Sequence, residues 1–173
     1  LITATFPRNI RLQARCAPDA WPVFGDIGQL QQVLLNLCAN SRDAMPEGGT
    51  LELDAANLVV DAAYASGAVD AKPGRYVVWR VKDTGVGIPE GVINQIFEPF
   101  FTTKAEGKGT GLGLATCYGI VKQLGGFIYP VSKVGRGTTF KIFLPAWTGV
   151  VEEAAPESML DTPMAAPVAE VPS

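Results

Sequence analysis

The chain has 173 residues, 47% of them apolar, enough for one domain with a core, and its 19 glycines and 13 prolines are unevenly spread. Residues 1–145 hold 14 basic against 12 acidic side chains, net +2, whereas 146–173 hold five acidic and no basic ones; this near-balance gives no basic field for nucleic acid, and no apolar run nears the roughly 18 residues of a membrane span. There is no histidine, and Cys16, Cys38 and Cys117 form no CxxC pair, which argues against zinc and a disulfide framework and fits a reducing, cytoplasmic setting.

The chain begins with Leu1 and shows no signal peptide, so it reads as part of something longer. Residues 10–16 alternate apolar and polar side chains, the pattern of a half-buried strand, stopped by Pro18 and Asp19. Asp26 stands where an N-cap belongs. Over residues 28–45, Leu30, Val33, Leu34, Leu37, Ser41 and Ala44 recur at helical spacing and predict a long amphipathic helix. A second stripe on that helix is polar, with Gln29, Gln32, Asn36, Asn40 and Asp43 in line. Two asparagines one turn apart cost helix propensity without packing reward, so the stripe fits a ligand-facing surface as well as a solvated one.

Residues 46–49 (Pro-Glu-Gly-Gly) end the helix, 50–60 read as a strand, 61–74 as a connecting loop, and 75–83 as a returning strand with Val77, Trp79, Val81 and Asp83 on its apolar side. A carboxylate in that register needs a hydrogen-bonding partner, which makes Asp83 a site candidate. After the turn at 84–89, Pro89 opens an expected short helix through Val92, Ile93, Ile96 and Phe97. A second helix is expected from Gly111 to about Leu124, then strands over 127–133 and 138–144 joined by the hairpin Gly135-Arg136-Gly137, with Pro145 closing the domain. Residues 146–173 collect Ala, Pro and Glu, the composition of a linker or tail with little order.

The stretch that organises the chain is 97–115. Phe97, Phe100 and Phe101 can anchor one end in a core, while Gly107, Gly109, Gly111 and Gly113 free the other end and lead into a helix N-terminus, a natural anion site. Alone, such a run fits an unliganded surface loop equally well.

Five blocks in order, at residues 26–45, 83–89, 96–104, 109–115 and 135–140, resemble those of the catalytic ATP-binding domain of sensor histidine kinases, within the wider family of gyrase, the Hsp90 chaperones and MutL. The resemblance covers roughly residues 8–145, and the runs Asn-Ser-Arg-Asp-Ala-Met-Pro and Phe-Phe-Thr-Thr-Lys are most similar to the nitrogen-regulator-like and hybrid branch. One departure is Ser41, where that family usually has alanine; its similar size suggests a tolerated packing position. The implied fold is an α/β two-layer sandwich (Bergerat fold), a mixed, mostly antiparallel sheet with three helices on one face and a mobile ATP lid. The implied organisation is a linker remnant at 1–9, the ATP-binding domain at 10–145 and the tail at 146–173.

By the same resemblance, Asp83 accepts the adenine amino group, with Gly85, Gly87 and Ile88 beside the base and Thr138 holding an adenine-side water. Asn40 is the Mg2+ ligand, and Asn36 and Asp43 lie near the phosphates. Phe97 and Phe101 anchor the lid, Gly109, Thr110, Gly111, Leu112 and Gly113 form its phosphate side, Lys104 and Lys108 neutralise the triphosphate, and Thr102, Thr103 and Leu114 are further nucleotide-binding residues. The implied reaction is transfer of the γ-phosphoryl group of Mg-ATP to a histidine, with Asn36, Asn40 and Lys104 as the catalytic set. Since this chain has no histidine, the acceptor would lie on a separate dimerisation domain of a homodimeric kinase, with a response regulator or receiver domain downstream. The lid should order only when triphosphate and magnesium arrive. The alternatives are a nucleotide-binding regulatory module without catalysis and a related hydrolysing ATPase, which generally wants a glutamate where Asn36 stands.

Overall fold

The computed structural model describes residues 6–67, 70–104 and 109–149. Its elements are β1 (Ile10–Cys16), α1 (Ile27–Asp43), β2 (Gly49–Val60), α2 (Ala62–Ser66), β3 (Gly74–Asp83), α3 (Gly113–Gln123), β4 (Phe127–Lys133) and β5 (Gly137–Pro145). They form one five-stranded sheet in the order β1-β2-β3-β5-β4. Strands β1 and β2 are parallel and every other pairing is antiparallel. A parallel pair needs a crossover, and α1 supplies it. Asp26 caps α1 as expected, its Oδ1 accepting the Gln29 N–H at 2.8 Å.

Strand alternation divides the apolar residues between two faces. One face carries Leu51, Val81, Phe140 and Ile142 under α1 and α3, which add Val33, Leu37, Cys117 and Val121, all buried. Each such side chain stabilises the fold by about 1.5–3 kcal/mol. Phe127, Phe143, Tyr76 and Val78 turn to the other face, where Phe127 and Phe143 stack at 4.2 Å. Pro130 sits within β4, which is an edge strand and so tolerates the missing N–H.

The α/β sandwich with a mixed, mostly antiparallel sheet is as expected, but the helical layer differs in detail. Residues 89–97 form successive turns rather than a third helix: the N–H groups of Val92, Gln95 and Glu98 donate three residues back, to Pro89, Val92 and Gln95. Gly91 and Asn94 are weak helix formers, and Pro99 bars a helix from continuing past the segment. Conversely, the expected loop at 61–74 contains α2. Asp61 caps it by accepting the Tyr64 N–H at 2.7 Å, and the Tyr64 ring lies 6.0 Å from Phe143, on the face opposite α1 and α3. Past Pro145, Ala146 bridges to Val23 and the Trp147 N–H donates to Pro22. The tail reading from residue 150 onward, and the linker reading for residues 1–5, lie outside the described residues.

Candidate functional site

A cleft of about 310 Å3 opens between α1, the turn after β3, the 89–104 segment and the start of α3, and reaches down to β5. Its two ends differ in chemistry.

At the deep end lies Asp83, the last residue of β3 and only 3% exposed. Its Oδ1 accepts the N–H groups of Gly85 (2.9 Å) and Thr138 (3.1 Å), and its Oδ2 accepts the Ser41 hydroxyl (3.0 Å). These three donors satisfy a carboxylate that burial would otherwise penalise. The Thr138 hydroxyl pairs with Ser132 Oγ at 2.9 Å, and Ser132 Oγ also accepts the Ile88 N–H at 2.8 Å, so the wall beside Asp83 is fixed by a side-chain network. Gly85 does not border the cleft. A Cβ there would stand 2.5 Å from the Ala44 carbonyl oxygen, so glycine is required by close packing on the end of α1. Gly87 borders the cleft at φ +77°, and a Cβ on it would meet the Lys133 carbonyl oxygen.

At the open end, Lys104 Nζ donates to Asp43 Oδ2 at 2.5 Å and reaches Asn40 Oδ1 at 3.5 Å. Arg42 also donates to Asp43, from Nε at 3.0 Å and Nη2 at 2.9 Å. Partial burial pushes the Asp43 carboxyl up, but hydrogen bonds from Lys104 and Arg42, with their charges, hold it below its ordinary value. Asn36 Nδ2 donates to the Gly113 carbonyl at 3.2 Å, tying α1 to the start of α3. Leu112 caps α3 without a side-chain bond, so the cap supplies no acceptor for the N–H groups of the first turn.

Phe97 anchors the preceding segment against Tyr118 (5.5 Å between rings) and Phe140 (6.4 Å), and Phe101 packs on the same core. Phe100 does not share that role. It is 74% exposed, and its backbone is left-handed at φ 68° while its N–H donates to the Gly111 carbonyl at 2.9 Å. Gly111 mirrors it at φ +66°, where a Cβ would stand 2.4 Å from the Phe100 carbonyl carbon.

Of the residues the sequence nominates, Asn36, Asn40, Asp43, Asp83, Gly87, Ile88, Phe101, Thr102, Thr103, Lys104, Gly109, Thr110, Gly111, Gly113, Leu114 and Thr138 all border this one cleft. Gly85, Phe97 and Leu112 do not border it, and Lys108 lies outside the described residues. The sequence reading passes over Ser41 as a site residue, together with the apolar wall of Val86, Val92, Ile96 and Phe140. The i, i+4 spacing of Val92 and Ile96 is a signal that could find part of that wall.

Residues 25–148 match the family described as histidine kinase-, DNA gyrase B-, and HSP90-like ATPase, and the chain belongs to that family. It is 50% identical over 166 residues to the sensor kinase CckA of Brucella abortus, covering 96% of this chain and 17% of that protein. It is 38% identical over 146 residues to the sensory histidine kinase/phosphatase NtrB of Azospirillum brasilense, covering 81% of this chain and 34% of the relative. The chain thus spans about a third or less of the length of these curated relatives. Among solved structures it is similar to the nucleotide-free catalytic domain of the histidine kinase ThkA, with TM-score 0.63, 29% identity and 80% of each chain covered. It is also similar to full-length ShkA in complex with AMPPNP, with TM-score 0.63, 28% identity, and 81% of this chain and 26% of that one covered. The fold is therefore that of an ATP-binding domain of the two-component sensor histidine kinase type. No helix among the described residues is long and apolar enough to cross a membrane.

Proposed function

We propose that this domain binds ATP with Mg2+ and transfers the γ-phosphoryl group to a histidine on a separate dimerisation domain of the same kinase. The observation that carries this reading is the division of one cleft. A buried, backbone-held carboxylate lies at its floor, and Lys104, Asn40 and the start of α3 lie at its mouth.

Asp83 can accept the adenine amino group because one lone pair remains after its three protein donors are counted. The triphosphate then runs toward α3, whose first-turn N–H groups attract anions. Lys104 exchanges Asp43 for phosphate, and Lys108, outside the described residues, is a second cation of the same sequence run. Among the described residues no group of three histidine, cysteine or acidic side chains could hold a metal by itself. That fits Mg2+, which is held by one or two protein oxygens, phosphates and water; Asn40 would supply its carbonyl oxygen, and the ion would neutralise phosphate charge.

In the transfer, the bond from the γ-phosphorus to the bridging oxygen breaks as a bond to an imidazole nitrogen forms, and ADP leaves. The domain contributes positioning and charge stabilisation. Among the described residues hydrolysis finds no free base: Asn36 cannot take a proton, and the only carboxylates bordering the cleft there are Asp83 at the far end and Asp43, engaged by two cations. The partners follow as a histidine-bearing dimerisation domain in a homodimer and a response regulator or receiver domain, with the catalytic domain on the cytoplasmic side. The test is to mix the chain with a histidine-bearing dimerisation domain and radiolabelled Mg-ATP. Label on the partner histidine without matching release of free phosphate is expected; phosphate release alone contradicts the transfer reading.

A further inference from the structure

Ser41 is 1% exposed, and its hydroxyl has one described protein partner, Asp83 Oδ2 at 3.0 Å, 42 residues further along the chain. It sits on the buried face of α1, one residue after Asn40, so the helix that presents the amide at the mouth also reaches the floor. Alanine would fill the packing position equally well; only the hydroxyl makes the contact.

A carboxylate offers about four lone-pair directions. In Asp83, Oδ1 spends two on the N–H groups of Gly85 and Thr138, and Oδ2 gives one to Ser41. The fourth is on Oδ2. We propose that Ser41 is a positioning residue for base recognition: its hydroxyl fixes the carboxylate plane so that this last lone pair faces the exocyclic amino group of adenine. Without that bond Oδ2 loses its only described protein partner, and the carboxylate can turn about the Oδ1 anchor. The site would then discriminate less well between a purine bearing a 6-amino group and one without it. This rests on the nucleotide reading above, with Asp83 as the acceptor.

The test is calorimetric titration of the whole chain with ATP and with purine riboside 5′-triphosphate, which lacks only the 6-amino group. The unmodified protein should prefer ATP by about tenfold or more, as expected for a hydrogen bond to a charged group. In Ser41→Ala that preference should fall by about threefold or more, while the affinity for the purine analogue stays nearly constant. Ser41→Cys, similar in size with a weak donor, should lower the preference likewise and serves if the alanine variant does not fold. An unchanged preference overturns the proposal, including the case where both nucleotides weaken equally, since loosened packing acts on both. Asp83→Ala separates the two readings: if it leaves the preference intact, the adenine assignment itself fails; if it removes the preference while Ser41→Ala does not, only the role of Ser41 fails.

Discussion

The two ends of the cleft are built on opposite principles. At the floor, every donor to Asp83 comes from a residue held by the sheet, by α1 or by the turn after β3, and no buried side-chain nitrogen or oxygen among the described residues lacks a partner. At the mouth, Lys104, Asp43 and Arg42 are about a third exposed and pair with one another. A buried carboxylate held by three donors keeps its geometry before the ligand arrives, whereas partly exposed ion pairs are worth little and are readily exchanged. On the proposed nucleotide reading, the floor is suited to selecting the base, and the mouth to giving up its internal pairs for phosphate.

The largest effect that should separate the two ends is that of Lys104→Ala. Removing one preorganised cation from the reacting group should cut phosphoryl transfer by about a hundredfold, while adenosine, which lacks phosphates, should bind as before. Equal losses for adenosine and ATP would erase the distinction between floor and mouth. Next is Gly111→Ala, which places a Cβ in a left-handed position against Phe100 and should lower stability by about 2 kcal/mol, read from chemical unfolding. A smaller effect is expected of Asp43→Asn. Its pairs are partly exposed, so the loss near neutral pH should be about 1 kcal/mol or less. Because the native carboxyl is held below its ordinary value of 3.8, that stabilisation is complete above this value and fades as pH falls through the lowered native one; the difference from the unmodified protein should vanish there. Smallest is the response to a thiol reagent at neutral pH. Burial pushes Cys38 up to about 11 and Cys117 up to about 12, so only the exposed Cys16 should be alkylated in the folded protein, as counted by mass spectrometry.

What the sequence made legible follows the same divide between local and distant causes. Strand β1, the cap at Asp26 and the two-residue alternation ending at Asp83 depend on neighbours in the chain, and periodicity exposes them. Helix α2 escaped because five residues are too few for a periodic stripe, although Asp61 before Ala62 repeats the signal that Asp26 gives for α1. The turns at 89–97 carry an apolar spacing compatible with a helix, which outweighs the weak helix formers Gly91 and Asn94 in a reading by periodicity, and their hydrogen bonds run three residues back. Phe100 reads as a core aromatic by type, while its left-handed backbone, coupled to Gly111, turns it outward. The resemblance places the glycines at 85 and 87 beside the base, whereas what requires glycine there is the carbonyl groups of Ala44 and Lys133 brought close by folding. Ser41 is the clearest case: its size predicts packing, and its chemistry appears only when β3 is laid beneath α1.

The most direct measurement is calorimetry of ATP binding to the unmodified chain and to Asp83→Ala, with circular dichroism to confirm that the variant is folded. Loss of the carboxylate should weaken ATP binding by about 1–3 kcal/mol, roughly five- to 150-fold, since the amino group would lose its acceptor at the floor. Equal affinities in two folded proteins would contradict adenine recognition at Asp83, and with it the orientation of nucleotide from floor to mouth.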